Sequence, residues 1–376
     1  MVYLDYAAST PIDKRVLDIF YDISLRYYAN PNSSHRLGRE ANDILIESNK
    51  NIANYLGVLP EEIIYTSGSS ESNNLVVKGI CNRYKSRGKH IIVSSLEHSS
   101  ILSPLARMQE EGFEVEVVGV LKDGKIDIDC LKRIIRDDTI LVSISTVDSE
   151  LGIRQPVEEI GKMLKDYPNL FFHTDATQAF GKVNIDISDI DLVTINPHKF
   201  YGMNDFGALI KKKNVGLKPL IDGGKSTTIF RSGTPIVASV VAFDKALEIA
   251  LSELDNRFAY VSELHDKFIS RLNRYSNIVI NSPIDSIPYT INFSVKGISS
   301  YDLVECLSSH DVYVSAKTSC CPVSTPSKLV YALTRDKSLA STSIRVSLSH
   351  LTKDSDIDEF FKVFDVCLEE VSNGKI

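Results

Sequence analysis

The sequence predicts an α/β protein with a mainly parallel sheet, joined to a smaller α+β unit. Three observations carry this reading. Short apolar, β-branched runs alternate with helical patterns from about residue 60 to residue 215, the signature of βαβ units. The 376-residue length exceeds one small domain and fits a large domain with a smaller companion. From Pro235 the pattern changes to one long helical stretch and then shorter elements.

In chain order, "EEIIYTSG" reads as a strand and turn and "ESNNLVVKGICNRYKS" as the helix after it. "KHIIVSS" is a strand, followed by the helical "ILSPLARMQEEG". "FEVEVVGV", "TILVSIS", "NLFFHTD", "IDLVTIN" and "FGALI" are further strands, with "DIDCLKRIIRD" and "PVEEIGKMLKD" as amphipathic helices among them. The helical stretch from Pro235 to about Tyr275 predicts an interruption near Leu254–Asn256. "YTINFSV", "SSYDLVECLSSH", "VYVSA", "SIRVSLSH" and the helical "DSDIDEFFKVFDVCLEEV" then read as the smaller α+β unit. There is no internal repeat.

Composition narrows the function classes. Hydrophobic residues at 43% and charged residues at 24% are ordinary globular values. A net charge of −7 gives no electrostatic reason to expect nucleic acid or an anionic membrane. No apolar run approaches the ~18 residues a membrane span needs. The opening "MVYLDYAAST" carries Asp5 and no long apolar region, so no signal peptide is expected. Cys81, Cys130, Cys306, Cys320, Cys321 and Cys367 show no CxxC spacing. That argues against a zinc site and a disulfide framework, and for a reducing cytosol. Lys211-Lys212-Lys213 is expected to be a solvated strand end.

The informative residues stand just past the strands. His98 follows "HIIVSSLE"; Asp148 and Ser149 follow "ILVSISTV"; Asp175 ends "LFFHTD" with Gln178 close behind; His198 and Lys199 follow "LVTINP". In an open α/β sheet, ligands bind outside the carboxyl ends of the strands. "TSGSSES" offers backbone N–H groups where a strand turns into a helix, which favours a phosphate. It has one Gly and no GK[ST] ending, so a nucleoside triphosphate is not indicated. Asp175 can pair with a protonated ring nitrogen, His98 can stack on an aromatic ring, and a desolvated Lys199 can form a Schiff base. Phosphate, ring nitrogen, ring face and aldehyde together describe pyridoxal 5′-phosphate.

The motifs resemble those of the cysteine desulfurases, in the class V aminotransferase-like group of fold-type I pyridoxal-phosphate enzymes. "YLDYAASTPID" resembles the family's "YLDYxATTPxD", "NPNSSHRLGREA" its "NPSSxHxxGxxA", and "IIYTSGSSESNNL" its "IxFTSGATESNNL". "EHSSIL", "HTDATQAFGK", "PHKFYG", "RSGT" and "TSIRVSLSH" keep the family's order. The resemblance implies a seven-stranded, mainly parallel sheet in a large domain over 13–250. Residues 1–12 and 251–376 would form the smaller one, holding a catalytic cysteine loop. It makes Lys199 the lysine bonded to the cofactor aldehyde, Asp175 the partner of the ring nitrogen, and His98 the residue stacked on the ring and placed to move protons. Gln178 touches the ring oxygen. Ser69, Ser70, His198 and, from a partner subunit, Thr234 hold the phosphate. Arg345 clamps the substrate carboxylate, for which a planar guanidinium is suited. Asn32 stands at a substrate-side contact.

The nucleophile falls in "TSCC", residues 318–321. Aligning "VSAKTSC" with the family's "VSSGSAC" selects Cys320. Cys321 is expected to be secondary, because adjacent side chains in an extended loop point opposite ways and Pro322 restricts Cys321. The implied reaction converts L-cysteine to L-alanine, leaving a persulfide on Cys320 for a sulfur-acceptor protein, in iron–sulfur cluster assembly or another pathway. A cytoplasmic homodimer using pyridoxal 5′-phosphate and no metal is expected. Three departures bear on the substrate. Ser149 replaces an Asn of "HxNNExG", Asn196 replaces a phosphate-binding Ser, and "GGKSTTIF" has lost a Gln-Glu pair and a Gly. They leave a related lyase or transaminase, such as a selenocysteine lyase, or a low-activity sulfur-carrier homologue as the alternative.

Overall fold

A computed structural model describes residues 1–224, 228–317 and 325–373. The first part runs β1 (Val2–Tyr3), α1 (Lys14–Arg26), α2 (Arg36–Leu56), β2 (Ile63–Thr66), α3 (Ser69–Tyr84), β3 (His90–Ser94), α4 (Ser99–Glu110) and β4 (Glu114–Val118). It continues through α5 (Ile128–Ile134), β5 (Thr139–Ser143), α6 (Val157–Leu164), β6 (Phe171–Asp175), β7 (Leu192–Ile195) and β8 (Gly207–Lys211). Then come α7 (Val237–Ser252), α8 (Leu254–Leu272), β9 (Ile278–Ile280), β10 (Thr290–Val295), α9 (Ser300–Ser309) and β11 (Val312–Tyr313). α10 (Lys328–Thr334), α11 (Lys337–Ser341), β12 (Ser343–Ser347) and α12 (Asp354–Ser372) complete the chain.

The seven runs read as strands form one sheet, in the order β2-β8-β7-β6-β5-β3-β4. β8 is antiparallel to β2 and β7, and every other pairing is parallel. Parallel strands buried on both faces need apolar side chains on both faces, which explains the unbroken runs. Alternation sorts them: Ile92, Val142, Phe172 and Val193 join one core, and Ile91, Leu141, Phe171 and Leu192 the other. Edge strand β4 instead exposes Glu114 and Val117.

A second, antiparallel sheet of order β12-β10-β9 lies in the C-terminal part. The N-terminus reaches it: β1 pairs with β11 in parallel, and Asp5 bridges to Ser347. α9 and α12 pack together over this part, and the ring of Phe268 of α8 packs at a tilt against Phe360 and Phe361 of α12. The long helix breaks at Glu253, one residue before the predicted interruption.

Two expectations are corrected. Lys211 is not a solvated strand end. It is buried, and its Nζ donates to the carbonyls of Lys212 (3.0 Å) and Val215 (2.8 Å) over the ring of Phe230. As the last residue of β8 its side chain still belongs to the packed sheet; only Lys213 is exposed. Second, Cys306 of α9 and Cys367 of α12 are joined as a disulfide. Their separation of 61 residues hides the pair from any local spacing pattern, and helix packing brings them together. Among the described residues, no helix is long and apolar enough to cross a membrane.

Candidate cofactor and substrate site

A cavity of about 620 Å³ opens where the carboxyl ends of β2, β3, β5, β6 and β7 meet the smaller sheet. Ser69, Ser70, His98, Ser149, Asp175, Gln178, Asn196, His198, Lys199 and Arg345 all line it. Sequence positions up to 276 apart therefore converge because each follows a strand of one sheet or, for Arg345, lies in a strand packed against its end.

At one end α3 begins. Gly68 has φ +145°, a conformation natural only to glycine, and a Cβ on Gly207 would come within 2.6 Å of its Cα. The two glycines let the chain turn tightly at the start of α3, whose residues Ser69 and Ser70 line the cavity, the end of a helix that favours an anion. Asn196 reaches Ser69 Oγ at 3.0 Å. With its amide oxygen turned to Ser69, its nitrogen donates to His198 Nδ1 at 2.8 Å. Burial, reinforced by the Lys199 and Lys182 ammonium groups, pushes His198 down to about 4, so its ring is neutral at pH 7.

On the same side stands Asp175, the last residue of β6. Its Oδ2 accepts from Asn73 Nδ2 at 2.7 Å and its Oδ1 from the Thr177 N–H at 3.0 Å. Asn73 also donates to Ser100 Oγ (2.8 Å), which lies 2.8 Å from His98 Nδ1. His98 caps α4, its Nδ1 accepting the Ser100 N–H at 3.1 Å. That acceptor role leaves Nε2 as the protonated nitrogen of the neutral ring. Burial lowers the His98 pKa, opposed by Asp175 and aided by Lys199.

Lys199 closes a single helical turn, Pro197–Lys199, after β7. Its Nζ donates to the carbonyls of Ala7 (2.8 Å) and Ala8 (2.5 Å). Gln178 Nε2 donates to the same Ala7 carbonyl at 2.9 Å, and its Oε1 accepts from Lys182 Nζ at 2.5 Å. Burial, then Lys199 and Arg345, pushes buried Lys182 down to about 7. The sequence reading missed Lys182, although it stands four residues after Gln178 in the quoted "HTDATQAFGK". It also missed Asn73, inside "ESNNL".

The other end belongs to the smaller sheet. Arg345 of β12 is 1% exposed. Its Nη2 pairs with Asp5 Oδ1 at 2.8 Å, and its Nη1 donates to the Ser149 carbonyl at 2.8 Å. Its Nε has no partner among the described residues. Asp148 also lines the cavity, but its carboxylate is spent on the N–H groups of Glu150, Leu151 and Ile153, at 2.6–2.8 Å. Burial pushes that carboxyl up to about 6. Glu150 accepts from Ser327, which caps α10, and Lys317 donates to the Thr325 carbonyl and hydroxyl. Cys320 and Cys321, between Lys317 and Thr325, lie outside the described residues. Asn32 and Thr234 are exposed and do not line the cavity of their own chain.

The donor set fits pyridoxal 5′-phosphate. A helix N-terminus with two hydroxyls suits a phosphate, a fixed buried carboxylate suits a ring nitrogen, and an amine stands ready for an aldehyde. The buried Thr177 Oγ1, on the cavity wall, has no partner among the described residues and offers one more polar contact.

The family model "Aminotransferase class-V" matches residues 2–360. A cysteine desulfurase IscS of Dictyoglomus turgidum is 37% identical over 375 residues, covering 98% of this chain and 95% of that one. A solved NifS-like protein superposes with a TM-score of 0.91 at 31% identity, covering 97% and 98% of the two chains. A solved structure of SspA in complex with cysteine matches at 0.82 and 31%, covering 94% and 100%. Family model, relatives and site geometry agree: the chain belongs to the class-V aminotransferases and, among them, to the pyridoxal-phosphate-dependent cysteine desulfurases.

Proposed function

We propose that this cavity takes L-cysteine and releases L-alanine, its sulfur passing to Cys320 and then to an acceptor protein. The observation that carries the reading is the convergence of Lys199, Asp175 and Arg345 on one cavity. When bound, pyridoxal 5′-phosphate supplies an aldehyde that condenses with amines and a ring that accepts electrons. The N-terminus of α3, Ser69, Ser70 and His198 would hold its phosphate. Asp175, kept in place by Asn73, would pair with the ring nitrogen, and His98 would be the residue against the ring. Lys199 Nζ moves the substrate's α-proton. Arg345 binds the substrate carboxylate, its Nε, which has no partner among the described residues, aiding a planar two-point contact. The Cys320 thiolate attacks the substrate sulfur. An S–S bond forms, the substrate C–S bond breaks, and the carbon takes protons to become alanine. A thiol of the acceptor then attacks the Cys320 persulfide, regenerating the Cys320 thiolate.

The large unit over 13–250 holds the seven-stranded sheet. Residues 1–12 with 251–376 form the smaller unit, a division supported by the pairing of β1 with β11. The working form is a homodimer in which exposed Thr234 serves the neighbouring subunit's phosphate and Asn32 a substrate-side contact. A cytoplasmic setting keeps Cys320 reduced. Iron–sulfur cluster assembly is the destination we favour, on the likeness to relatives named IscS. Among the departures, Asn196 contacts both Ser69 and His198, so the wall it belongs to remains polar. Ser149 contributes its carbonyl to Arg345, a role any residue can fill. Neither contact points to a selenocysteine lyase. The test offers the purified protein L-cysteine, L-selenocysteine and other amino acids with a dithiol reductant, which frees persulfide sulfur as sulfide and is itself oxidised to a disulfide, and alanine, sulfide, selenide and keto acids are measured. Alanine and sulfide from cysteine support the reading; keto acid alone, or selenide alone, defeats it.

A further inference from the structure

We propose that Cys306, His310, Cys367 and Glu370 form a zinc site at the seam of α9 and α12 when the two cysteines are reduced. The four residues come from two helices packed against each other. Cys306 and the helix-capping His310 are four apart, and Cys367 and Glu370 three apart, spacings that place each pair on one helix face. One ligating atom from each of Cys306, His310 and Cys367 lies within 4.8 Å of the others. Cys306 Sγ lies 3.4 Å from Glu370 Oε2. Zinc–sulfur and zinc–nitrogen or –oxygen bonds of ordinary length put tetrahedral ligands roughly 3.3–3.8 Å apart, so only small movements separate this cluster from a closed site.

The donor types agree with the geometry. Two thiolates and an imidazole select zinc over magnesium or calcium, and a carboxylate completes four-coordination. The histidine is already oriented. Its Nδ1 lies 3.0 Å from the Cys306 carbonyl, and donation there leaves the Nε2 lone pair for a metal, the usual outer contact of a ligating histidine. Both sulfurs are buried while His310 is exposed, so a metal enters from the His310 side. None of the four lines the cofactor cavity.

The disulfide and the metal site are alternative states of one pair. A phosphine reductant breaks the S–S bond; water gives its oxygen to the phosphine and its hydrogens to two thiols. Zinc then displaces the two thiol protons. The bound metal cross-links α9 to α12, as the disulfide does in the oxidised chain.

The test uses cofactor-loaded protein carrying Cys320→Ser and Cys321→Ser, so that the loop thiols bind no metal. After reduction under nitrogen, cobalt(II) is added and then zinc(II). The expected result is one cobalt per chain, with the visible bands of a tetrahedral thiolate site, displaced by one equivalent of zinc. Cys306→Ser and Cys367→Ser should abolish those bands, with retained cofactor absorbance showing that the variants fold. Exposed His310→Ala should weaken zinc at least ~10-fold without unfolding the chain. Absence of tetrahedral cobalt in the reduced protein overturns the proposal, as does unchanged zinc affinity in His310→Ala.

Discussion

The two ends of the cavity are built differently. At the Asp175 end, side chains from neighbouring elements of the large sheet hold one another: Asn73 bonds Asp175 and Ser100, and Ser100 contacts His98. At the Arg345 end the guanidinium borrows a carboxylate 340 residues away and a loop carbonyl, and one N–H has no partner among the described residues. The first arrangement resists change, because moving one member unpairs buried polar groups. The second is an exchangeable set in which an incoming carboxylate can replace a carbonyl or share the arginine with Asp5. On the proposed assignment, the cofactor end is preorganised and the substrate end is adjustable.

Lys199 lies where the two ends meet and should break the reaction most. Lys199→Ala is expected to slow alanine formation at least ~100-fold, the loss typical of a removed proton-transfer group. Borohydride should fix the cofactor on the Lys199 peptide of the unmodified protein; label on another lysine removes it from the centre. Cys320→Ala should abolish persulfide and sulfide release, while Cys321→Ala keeps most of both, as peptide mass spectrometry after L-cysteine would show. The reverse pattern moves the nucleophile by one residue, and retention in both variants ends the persulfide mechanism.

Arg345→Ala tests the adjustable end. An arginine–carboxylate bond in a partly desolvated site contributes roughly 1.5–3 kcal/mol, so KM for cysteine should rise at least ~10-fold while the cofactor stays bound. An unchanged KM places the carboxylate elsewhere. Asn73→Ala tests the preorganised end. It strips Asp175 and Ser100 of a buried donor and should cost about 1–3 kcal/mol of stability, with weaker cofactor binding and an unchanged KM once saturated. An equal rise in KM would erase the contrast between the ends.

The smallest expected effect is on pH dependence. His173, inside the sheet between Ser143 and Thr194 hydroxyls, is pushed by burial from 6.5 to about 4. Between those values the unfolded chain binds more protons, so the His173 contribution is complete above ~6.5 and falls as pH drops toward 4. Glu97, buried beside Ser94 and Ser145, has the opposite sign: raised by burial from 4.5 to about 7, it stabilises at low pH and loses that contribution as pH rises through 7. Glu97→Gln removes the opposing slope. Its Tm should therefore climb more steeply than that of the unmodified protein between pH ~4.5 and ~6.5; parallel Tm curves would deny Glu97 that titration.

Much of the site was legible because it obeys short-range rules. Apolar, β-branched runs specify strands buried on both faces, and a polar residue just past such a run lies at the open end of the sheet. His98, Asp175, His198 and Lys199 line the cavity as that rule expects, and the family motifs added Arg345, whereas Cys320 lies outside the described residues. What the chain alone did not display were pairings between distant segments. Asp5 meets Arg345 across 340 positions, Asn73 meets Asp175 across 102, and Cys306 meets Cys367 across 61. Lys182 and Lys211 carry charges that local reading assigns to solvent, yet packing buries both and carbonyl oxygens receive their protons. Element type follows from periodicity, a property of neighbouring residues. Partner choice depends on which helix and sheet surfaces meet, and that is decided only when the chain packs.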